Sequence, residues 1–273
     1  MPRNAHSSNI TGKFHNIFRY FCKLSPKRAI QEIMSELHSP IVRTDDRAVP
    51  TVALSVEVIA DLICPFCYLG KRRLDDALRA VKGPSEVSWH PLQLNPEMPA
   101  AGMPFEQYLS QRFGNLANIQ PVLDSLEVEG RREKIRFRFD KLTHVPNTLP
   151  AHQVMHLAAN DGSIQSMLAD ALMRAFFERG ENIGDTDVLV EVAGQYGLAE
   201  KDVRHAIEDE QTRKIVLSRE AQVRASGMAS VPGFLLNRRL LVVGAQSTET
   251  MINAFDQAMF GEGDDTFGSP SVH

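Results

Sequence analysis

Residues 52–81 read VALSVEVIADLICPFCYLGKRRLDDALRAV, and the rest of the chain can be ordered around this stretch. From Val52 to Ile59 apolar side chains alternate along the chain, which is typical of a buried strand. From Tyr68 to Val81 they recur at helical spacing, and Pro65 suits the first position of that helix. The motif Cys64-Pro65-Phe66-Cys67 therefore lies where a strand runs into a helix.

Two cysteines separated by two residues allow three interpretations: half of a zinc site, unreactive core residues, or a redox dithiol. A zinc site needs two more ligands, and the only other cysteine is Cys22. His152 and His156 have the spacing of paired ligands, but nothing in the sequence brings them to Cys64 and Cys67. Placement after a strand and at a helix start favours the redox interpretation, without a metal.

Cys64 is the candidate attacking thiol. Unpaired N–H groups and the macrodipole at a helix start favour the thiolate form, which is the reactive one. Cys67, one turn further along, is predicted to be more buried and to resolve mixed disulfides formed at Cys64.

Composition excludes several classes of protein. The net charge of −4 does not indicate general nucleic-acid binding, and three cysteines are too few for a secreted disulfide scaffold. No apolar run reaches the roughly 18 residues that a membrane span needs. Residues 1–50 lack the apolar core of a signal peptide, so a cytoplasmic location is predicted. Their basic character leaves organelle targeting open as an alternative.

The pattern of elements predicts an interrupted α/β domain. The first strand, the helix and a second strand around Val87–Trp89 form a βαβ unit, whose strands are normally parallel. Successive helical patterns follow, together with an alternating segment at Ile135–Phe139. The chain then returns to strands at Gly233–Leu236 and Leu240–Val243 and to a helix at Thr248–Met259.

Five segments follow from this order. They are a poorly ordered N-terminal extension (1–50), a thioredoxin-like domain in two parts (51–97 and 206–260), an inserted helical domain (98–205) and a flexible tail (261–273).

Several ordered motifs carry a resemblance to a known family. The motifs are Ile63–Gly70 (ICPFCYLG), Pro91–Pro96 (PLQLNP), Val145–Thr148 (VPNT) followed by Ala151-His152, Asn182–Asp185 (NIGD), Val231-Pro232 and Val243–Gln246 (VGAQ). From about Val52 to Met259 the chain resembles the DsbA-like thiol oxidoreductases, and within them the FrnE-like group. The resemblance implies an α/β, thioredoxin-like fold with an inserted all-helical domain.

The resemblance also implies further site residues. It makes Pro232 a cis-proline that faces the cysteines, with Val231 shaping the contact with a thiol. It places Asn147 and His152 near the substrate cleft, although Asn147 also suits a helix cap and His152 a half-buried packing position. Pro65 and Phe66, between the cysteines, complete the predicted substrate-binding set.

The sequence departs from the family pattern at Phe66 and at Gly233, and residues 1–50 lie outside the resemblance. Phe66 stands where tryptophan is common, an exchange that is expected to retune the reduction potential. Gly233 follows the proline where an aromatic residue is usual, which predicts a wider cleft or a looser hairpin.

The leading hypothesis is a dithiol–disulfide oxidoreductase or isomerase that acts on protein or small-molecule thiols and disulfides without a cofactor. The first alternative is a glutathione-dependent isomerase similar to 2-hydroxychromene-2-carboxylate isomerase, with glutathione as co-substrate. Enzymes of that kind typically keep a serine in place of a full cysteine pair, so Cys64 and Cys67 favour redox chemistry. The second alternative is a redox-sensing binding module. The sequence predicts no oligomeric state.

Overall fold

The computed structural model describes residues 54–114 and 116–261. Their strands are β1 (Leu54–Ala60), β2 (Ser85–Pro91), β3 (Met103–Pro104), β4 (His144–Val145), β5 (Gly233–Leu236) and β6 (Leu240–Val243). Their α-helices are α1 (Pro65–Ala80), α2 (Phe105–Phe113), α3 (Leu116–Arg132), α4 (Leu149–Leu157), α5 (Gly162–Arg174), α6 (Thr186–Gly194), α7 (Glu200–Glu208), α8 (Glu210–Ala225) and α9 (Thr248–Phe260). The predictions for residues 1–50, including Cys22, and for nearly all of the tail lie outside the described residues.

A mixed four-stranded sheet in the order β2-β1-β5-β6 forms the centre of the fold. β1 is parallel to β2, with Val58 opposite Trp89, and antiparallel to β5, with Val58 opposite Phe234. The parallel pairing confirms the βαβ unit. Six of the seven β1 residues are buried, as expected of a central strand, and the next residue begins the segment that leads to Cys64. The fold is the predicted α/β, thioredoxin-like one.

The β5–β6 hairpin turns at Asn237 and Arg238. Both residues have positive φ, 48° and 53°, as the central residues of a type I′ turn require, and the Arg239 N–H donates to the Leu236 carbonyl at 2.9 Å. The Asn237 side chain also accepts a hydrogen bond from the Ser55 N–H (2.7 Å) and donates to the Ala258 carbonyl (3.0 Å). The turn therefore ties the hairpin to β1 and to α9.

The outer edge of β2 is covered by α5. Gln165 Oε1 accepts a hydrogen bond from the Trp89 N–H at 3.0 Å, and its amide nitrogen donates to the Met155 carbonyl at 2.9 Å. Gly162 permits this approach, because a Cβ there would lie 2.2 Å from the Val87 carbonyl oxygen. An edge strand covered in this way offers fewer free backbone groups for pairing with another chain.

The elements from β3 to α7 lie between β2 and the C-terminal part of the sheet in sequence. Besides helices they include the short antiparallel pair of β3 and β4, with Met103 opposite Val145. The exact limits of the inserted domain stay a prediction.

The alternating segment Ile135–Phe139 is not a strand. Residues 135–138 have no regular structure, and a short 3-10 turn, Phe139–Lys141, follows. Ile135, Phe137 and Phe139 are buried, and the Phe137 ring packs edge-on against Phe177, with centroids 5.3 Å apart. The alternation therefore comes from packing against an aromatic cluster rather than from sheet pairing.

The helix α5 continues into a different helical form at its C-terminal end. Residues Ala175–Arg179 form a π-helical turn after α5, and Gly180, with a φ of +75°, ends it. The Phe177 carbonyl accepts a hydrogen bond from the Arg138 N–H at 2.8 Å. This widened turn joins the irregular segment to α5.

Candidate functional site

Cys64 occupies the N-cap of α1. Its backbone is extended (φ −92°, ψ 115°), a conformation favoured before proline, and Pro65 is the first helical residue. The Cys64 carbonyl accepts hydrogen bonds from the N–H groups of Cys67 (3.0 Å) and Tyr68 (3.2 Å), so the helix begins directly at the motif. No acidic side chain lies in the first turn of α1 to oppose a thiolate.

Cys67 lies one turn further along α1 and is buried beneath Cys64. The exposed fractions are 2% for Cys67 and 4% for Cys64, and both cysteines are free thiols. Burial raises the pKa of the Cys67 thiol well above its usual value, and a hydrogen bond with Cys64 and the charge of Cys64 raise it further. Cys67 therefore retains its proton more strongly than an exposed thiol would.

The C-terminal hairpin brings Val231 and Pro232 to the cysteines. The Val231–Pro232 peptide bond is cis, and the Cys64 Sγ lies 4.0 Å from the Val231 carbonyl oxygen. Gly70 on α1 allows the close approach, because a Cβ there would lie 3.0 Å from the Phe234 ring and 3.1 Å from Pro232. A helix and a hairpin that are far apart in sequence thus meet beside one sulfur atom.

Gly233 stands where the resemblance makes an aromatic residue usual. Gly233 is buried in β5, and a Cβ there would lie 2.4 Å from the terminal methyl of Met228. Met228 itself is buried. The flexible methionine side chain therefore occupies the space beside the glycine, and the wider cleft or looser hairpin stays a prediction.

Asp61 is a site residue that the motif analysis missed. It follows β1 directly and is fully buried, and its carboxylate accepts hydrogen bonds from the N–H groups of Leu62 (2.8 Å) and Leu94 (2.7 Å). Its charge opposes ionisation of Cys67, and its backbone donates a hydrogen bond to that thiol. One signal was available, because an aspartate in the apolar run VIADLIC must be buried with partners.

His152 and Asn147 lie on the α4 side of the site. His152 is buried, and its Nε2 lies 3.3 Å from Asp61 Oδ1. The Asn147 amide donates to the Met98 carbonyl at 2.7 Å, and its oxygen accepts from the N–H of Leu149, at the start of α4, at 2.9 Å. Asn147 therefore binds the first N–H of α4 and ties this end of the helix to Met98, while His152 faces Asp61.

Tyr108 on α2 is a second neighbour that the sequence did not signal. Burial raises the pKa of its hydroxyl, against a hydrogen bond from Asn95 and the charge of Arg112, and the charges of Asp61 and Cys64 add to the rise. The sequence of α2 does not indicate that Tyr108 lies near Asp61 and Cys64, because this proximity depends on how α2 packs in the fold.

The alternative interpretation, a metal site, requires a cluster of ligands. Among residues 54–114 and 116–261 there is no group of three or more His, Cys, Asp or Glu side chains that could hold a metal ion. His152 faces Asp61, and His156 Nδ1 accepts a hydrogen bond from Arg219 at 3.2 Å. The two histidines with ligand spacing are therefore engaged separately.

Comparison with known proteins adds several matches. One curated relative, the uncharacterized protein YwbO of Bacillus subtilis, is 28% identical over 195 residues, which cover 68% of this chain and 88% of YwbO. The crystal structure of a probable DsbA oxidoreductase, SCO1869 of Streptomyces coelicolor, matches with a TM-score of 0.68 and 29% identity, over 75% of this chain and 89% of that one. A 2-hydroxychromene-2-carboxylate isomerase shares the fold, with a TM-score of 0.57 and 12% identity, over 74% of this chain and 95% of that one.

The family model described as the DSBA-like thioredoxin domain matches residues 55–256. The match spans the central sheet, the cysteine motif, the helices between β2 and β5, and the C-terminal hairpin. The chain therefore belongs to the DsbA-like thioredoxin family, whose members are thiol oxidoreductases or isomerases.

Proposed function

We propose that this protein is a dithiol–disulfide oxidoreductase that uses Cys64 and Cys67 as its redox pair. The observation that carries the proposal is the position of the Cys64 thiol. It lies at the N-terminus of α1, one turn from Cys67, and its sulfur is 4.0 Å from the Val231 carbonyl oxygen. Backbone atoms beside a thiol can align a substrate sulfur and chain, and the thiolate is the form that attacks a disulfide.

The reaction proceeds in two exchanges. The Cys64 thiolate attacks a substrate disulfide, forms a Cys64–substrate disulfide and releases one substrate thiolate. The Cys67 thiol then loses its proton and attacks Cys64 Sγ, which forms the Cys64–Cys67 disulfide and releases the second substrate thiolate. Two electrons pass from the dithiol to the substrate, the released thiolates take up protons, and the reverse sequence oxidises a substrate dithiol.

The remaining site residues have supporting roles in this proposal. Pro65 and Phe66 border the attacking sulfur, and Val231 and Pro232 form the opposite wall of the thiol-binding surface. Asn147 ties the start of α4 to the Met98 carbonyl through its amide hydrogen bond. The proposed chemistry requires no cofactor, and a cytoplasmic location would make glutathione a thiol substrate or electron donor.

A turnover assay with matched variants tests the proposal. Full-length protein, Cys64→Ser and Cys67→Ser are compared in dithiothreitol-driven reduction of insulin disulfides, and Cys22→Ser serves as the cysteine control. We expect both active-site variants to lose turnover and the control to keep it. Turnover equal to that of the wild type in both active-site variants would refute the proposal.

The glutathione-dependent isomerase is the second candidate, since a 2-hydroxychromene-2-carboxylate isomerase shares the fold. It predicts turnover of that substrate in the presence of glutathione, with little dependence on Cys67. If both active-site variants isomerise the substrate at the wild-type rate and insulin is not reduced, the isomerase replaces the redox enzyme. A redox-sensing module predicts turnover in neither assay.

A further inference from the structure

We propose that Arg73 on α1 is a positioning residue that holds the thiol-binding backbone at Val231 and Pro232 beside Cys64. It acts through the turn at residues 244–246, which directly follows β6 (the 244–246 turn). The inference rests on the proposed function, in which Val231 and Pro232 form one wall of the thiol-binding surface.

Arg73 uses all three of its guanidinium nitrogens. Nε donates to Glu133 Oε1 at 2.6 Å, and Nη2 donates to Glu129 Oε2 at 2.9 Å. Nη1 donates to the carbonyl of Ala245, 172 positions away in the chain, at 2.7 Å. One side chain therefore joins α1, the end of α3 and the 244–246 turn.

The two glutamates fix the position of the guanidinium. The Arg73 side chain is 14% exposed, and those of Glu129 and Glu133 are 17% and 16% exposed, so solvent and salt screen these ion pairs less than pairs on an open surface. Hydrogen bonds between charged groups are also stronger than neutral ones. The bond to Ala245 is therefore made by a donor that is itself held in place.

The 244–246 turn passes this constraint to the thiol-binding backbone. The Gly244 N–H donates to the Pro232 carbonyl at 2.8 Å. The residue before Pro232 carries the carbonyl that lies 4.0 Å from Cys64 Sγ. Gly244 has a φ of +86°, a conformation that glycine adopts readily and other residues do not. A shift at Ala245 therefore reaches Pro232 through one residue and one hydrogen bond.

The same helix carries both the sulfur and the tie to the wall. Cys64 is the N-cap of α1, and Arg73 lies nine residues further along, about 13 Å up the helix axis. The other end of the β5–β6 hairpin is held separately, by Asn237 to Ser55 and Ala258. Arg73 thus fixes the cysteine end of the hairpin to the rigid element that also positions Cys64.

This arrangement assigns Arg73 to binding rather than to sulfur chemistry. Its guanidinium is bound to two carboxylates and a backbone carbonyl, and none of these groups is a thiol. A substrate chain that aligns along the Val231 backbone needs that backbone at a fixed distance from Cys64 Sγ. Without the tie the sulfur keeps its own surroundings, and the chain binds to a less well-fixed wall.

Arg73→Lys is the variant that separates the tie from the charge. Lysine keeps the positive charge between the two carboxylates, but its ammonium group lacks the planar fork. Two carboxylates attract that group more strongly than a neutral carbonyl does, so the Ala245 bond is the one that is lost. Arg72→Lys is the matched control, because Arg72 is the next residue towards the start of α1 and binds Tyr68 and Asp170 instead.

The first measurement is the dependence of insulin reduction on insulin concentration. In Arg73→Lys we expect KM to rise about tenfold and kcat to stay within about twofold, since a bond that serves binding alone changes KM. Glu133→Gln, which weakens one anchor of the guanidinium, should raise KM by about threefold. Arg72→Lys should keep the wild-type KM.

Two further readouts separate positioning from a general structural effect. Alkylation of Cys64 by iodoacetamide, in a Cys22→Ser and Cys67→Ser background, should keep its rate in Arg73→Lys, because this reagent needs no aligned chain. Hydrogen exchange followed by mass spectrometry should show peptides that cover the 244–246 turn exchanging about tenfold faster in Arg73→Lys, and unchanged in Arg72→Lys.

An unchanged KM for insulin in Arg73→Lys would overturn the proposal. A fall in kcat together with slower alkylation would place Arg73 in the thiol chemistry, and equal rises of KM in Arg73→Lys and Arg72→Lys would show a general structural effect; each overturns it too. If Arg73→Lys fails to fold by circular dichroism, Glu133→Gln decides alone. A wild-type protein without insulin turnover overturns the proposed function and this role together, whereas wild-type turnover with unaffected variants overturns the role alone.

Discussion

Asp61 and Asp170 are both buried aspartates, yet their partners differ in kind. Asp170 lies against two arginines, with Arg72 Nη2 3.2 Å from Oδ1 and Arg174 Nη2 2.8 Å from Oδ2. Asp61 has two backbone N–H groups and one histidine. The two arginines hold Asp170 as a clamp between α1, which carries Arg72, and α5. Asp61 instead connects the segment after β1 to the backbone of Leu94 and, through His152, to α4.

The surroundings of the two aspartates also differ. Near Asp170, Tyr68 donates to Glu178 (2.7 Å) and accepts from Arg72 (3.1 Å), and its ring stacks on Phe177 with centroids 6.1 Å apart. Near Asp61 lie two thiols and a small cavity. One region packs helices against each other, and the other surrounds the proposed redox pair. The following substitutions test whether the first region supports stability without affecting turnover.

The largest expected effect on stability is that of Phe177→Ala. Phe177 is 2% exposed and packs against Tyr68, Phe137, Phe139 and Phe176. Its truncation should cost about 3–5 kcal/mol of unfolding free energy, because it removes buried surface and leaves a cavity. Urea unfolding followed by circular dichroism measures the loss. A loss below about 1 kcal/mol would show that the cluster does not support the fold.

Asp170→Asn should cost less, about 1–2 kcal/mol. The substitution leaves Arg72 and Arg174 without their carboxylate, but both keep access to water, so the penalty stays below that of breaking a fully buried pair. The urea midpoint gives the stability, and insulin reduction by the folded variant should equal that of the wild type. A stable Asp170→Asn variant that has lost turnover would show that Asp170, too, is needed for activity, and would contradict its assignment as a purely structural residue.

Tyr68→Phe should cost about 1 kcal/mol at neutral pH, through loss of the hydroxyl hydrogen bonds. Burial, the Asp170 charge and the bond to Glu178 raise the pKa of Tyr68 from 10.0 to about 12. A raised pKa contributes stability that is fully present below pH 10.0 and is lost as the pH rises towards about 12.

The alkaline range therefore distinguishes the wild type from Tyr68→Phe. Over that interval the wild type should lose stability more steeply than the variant, measured by urea unfolding at about pH 9 and about pH 11. Tyr196→Phe, on α6's C-terminal side, is the matched control and should follow the wild type. Parallel losses in wild type and Tyr68→Phe would contradict the assigned pKa.

Much of the fold can be predicted from local sequence. The strands Gly233–Leu236 and Leu240–Val243 match the prediction, and the predicted helix Thr248–Met259 is observed with one more residue at its end, Thr248–Phe260. These features depend on residues close together in the chain. The segment Ile135–Phe139 differs, because apolar alternation has the same appearance whether the apolar side faces a sheet or an aromatic cluster.

Only the site residues that belong to short sequence motifs can be predicted from the sequence. Cys64, Cys67 and the proline at 232 are recognisable from motifs, and their roles stay predictions until they are assayed. The pairing of Asp61 with His152 joins residues 91 positions apart, and the approach of Tyr108 depends on where α2 lies. Such contacts follow from tertiary packing, which no single stretch of sequence encodes.

The most direct test of the central claim is to trap the first exchange. Full-length Cys67→Ser and Cys64→Ser proteins, both in a Cys22→Ser background, are incubated with oxidised glutathione and measured by intact-protein mass spectrometry. The account predicts one glutathione adduct, at Cys64, that accumulates in Cys67→Ser because the resolving thiol is missing, and little adduct on the buried Cys67 of Cys64→Ser. Equal adducts in the two variants, or adduct formation only at Cys67, would contradict it.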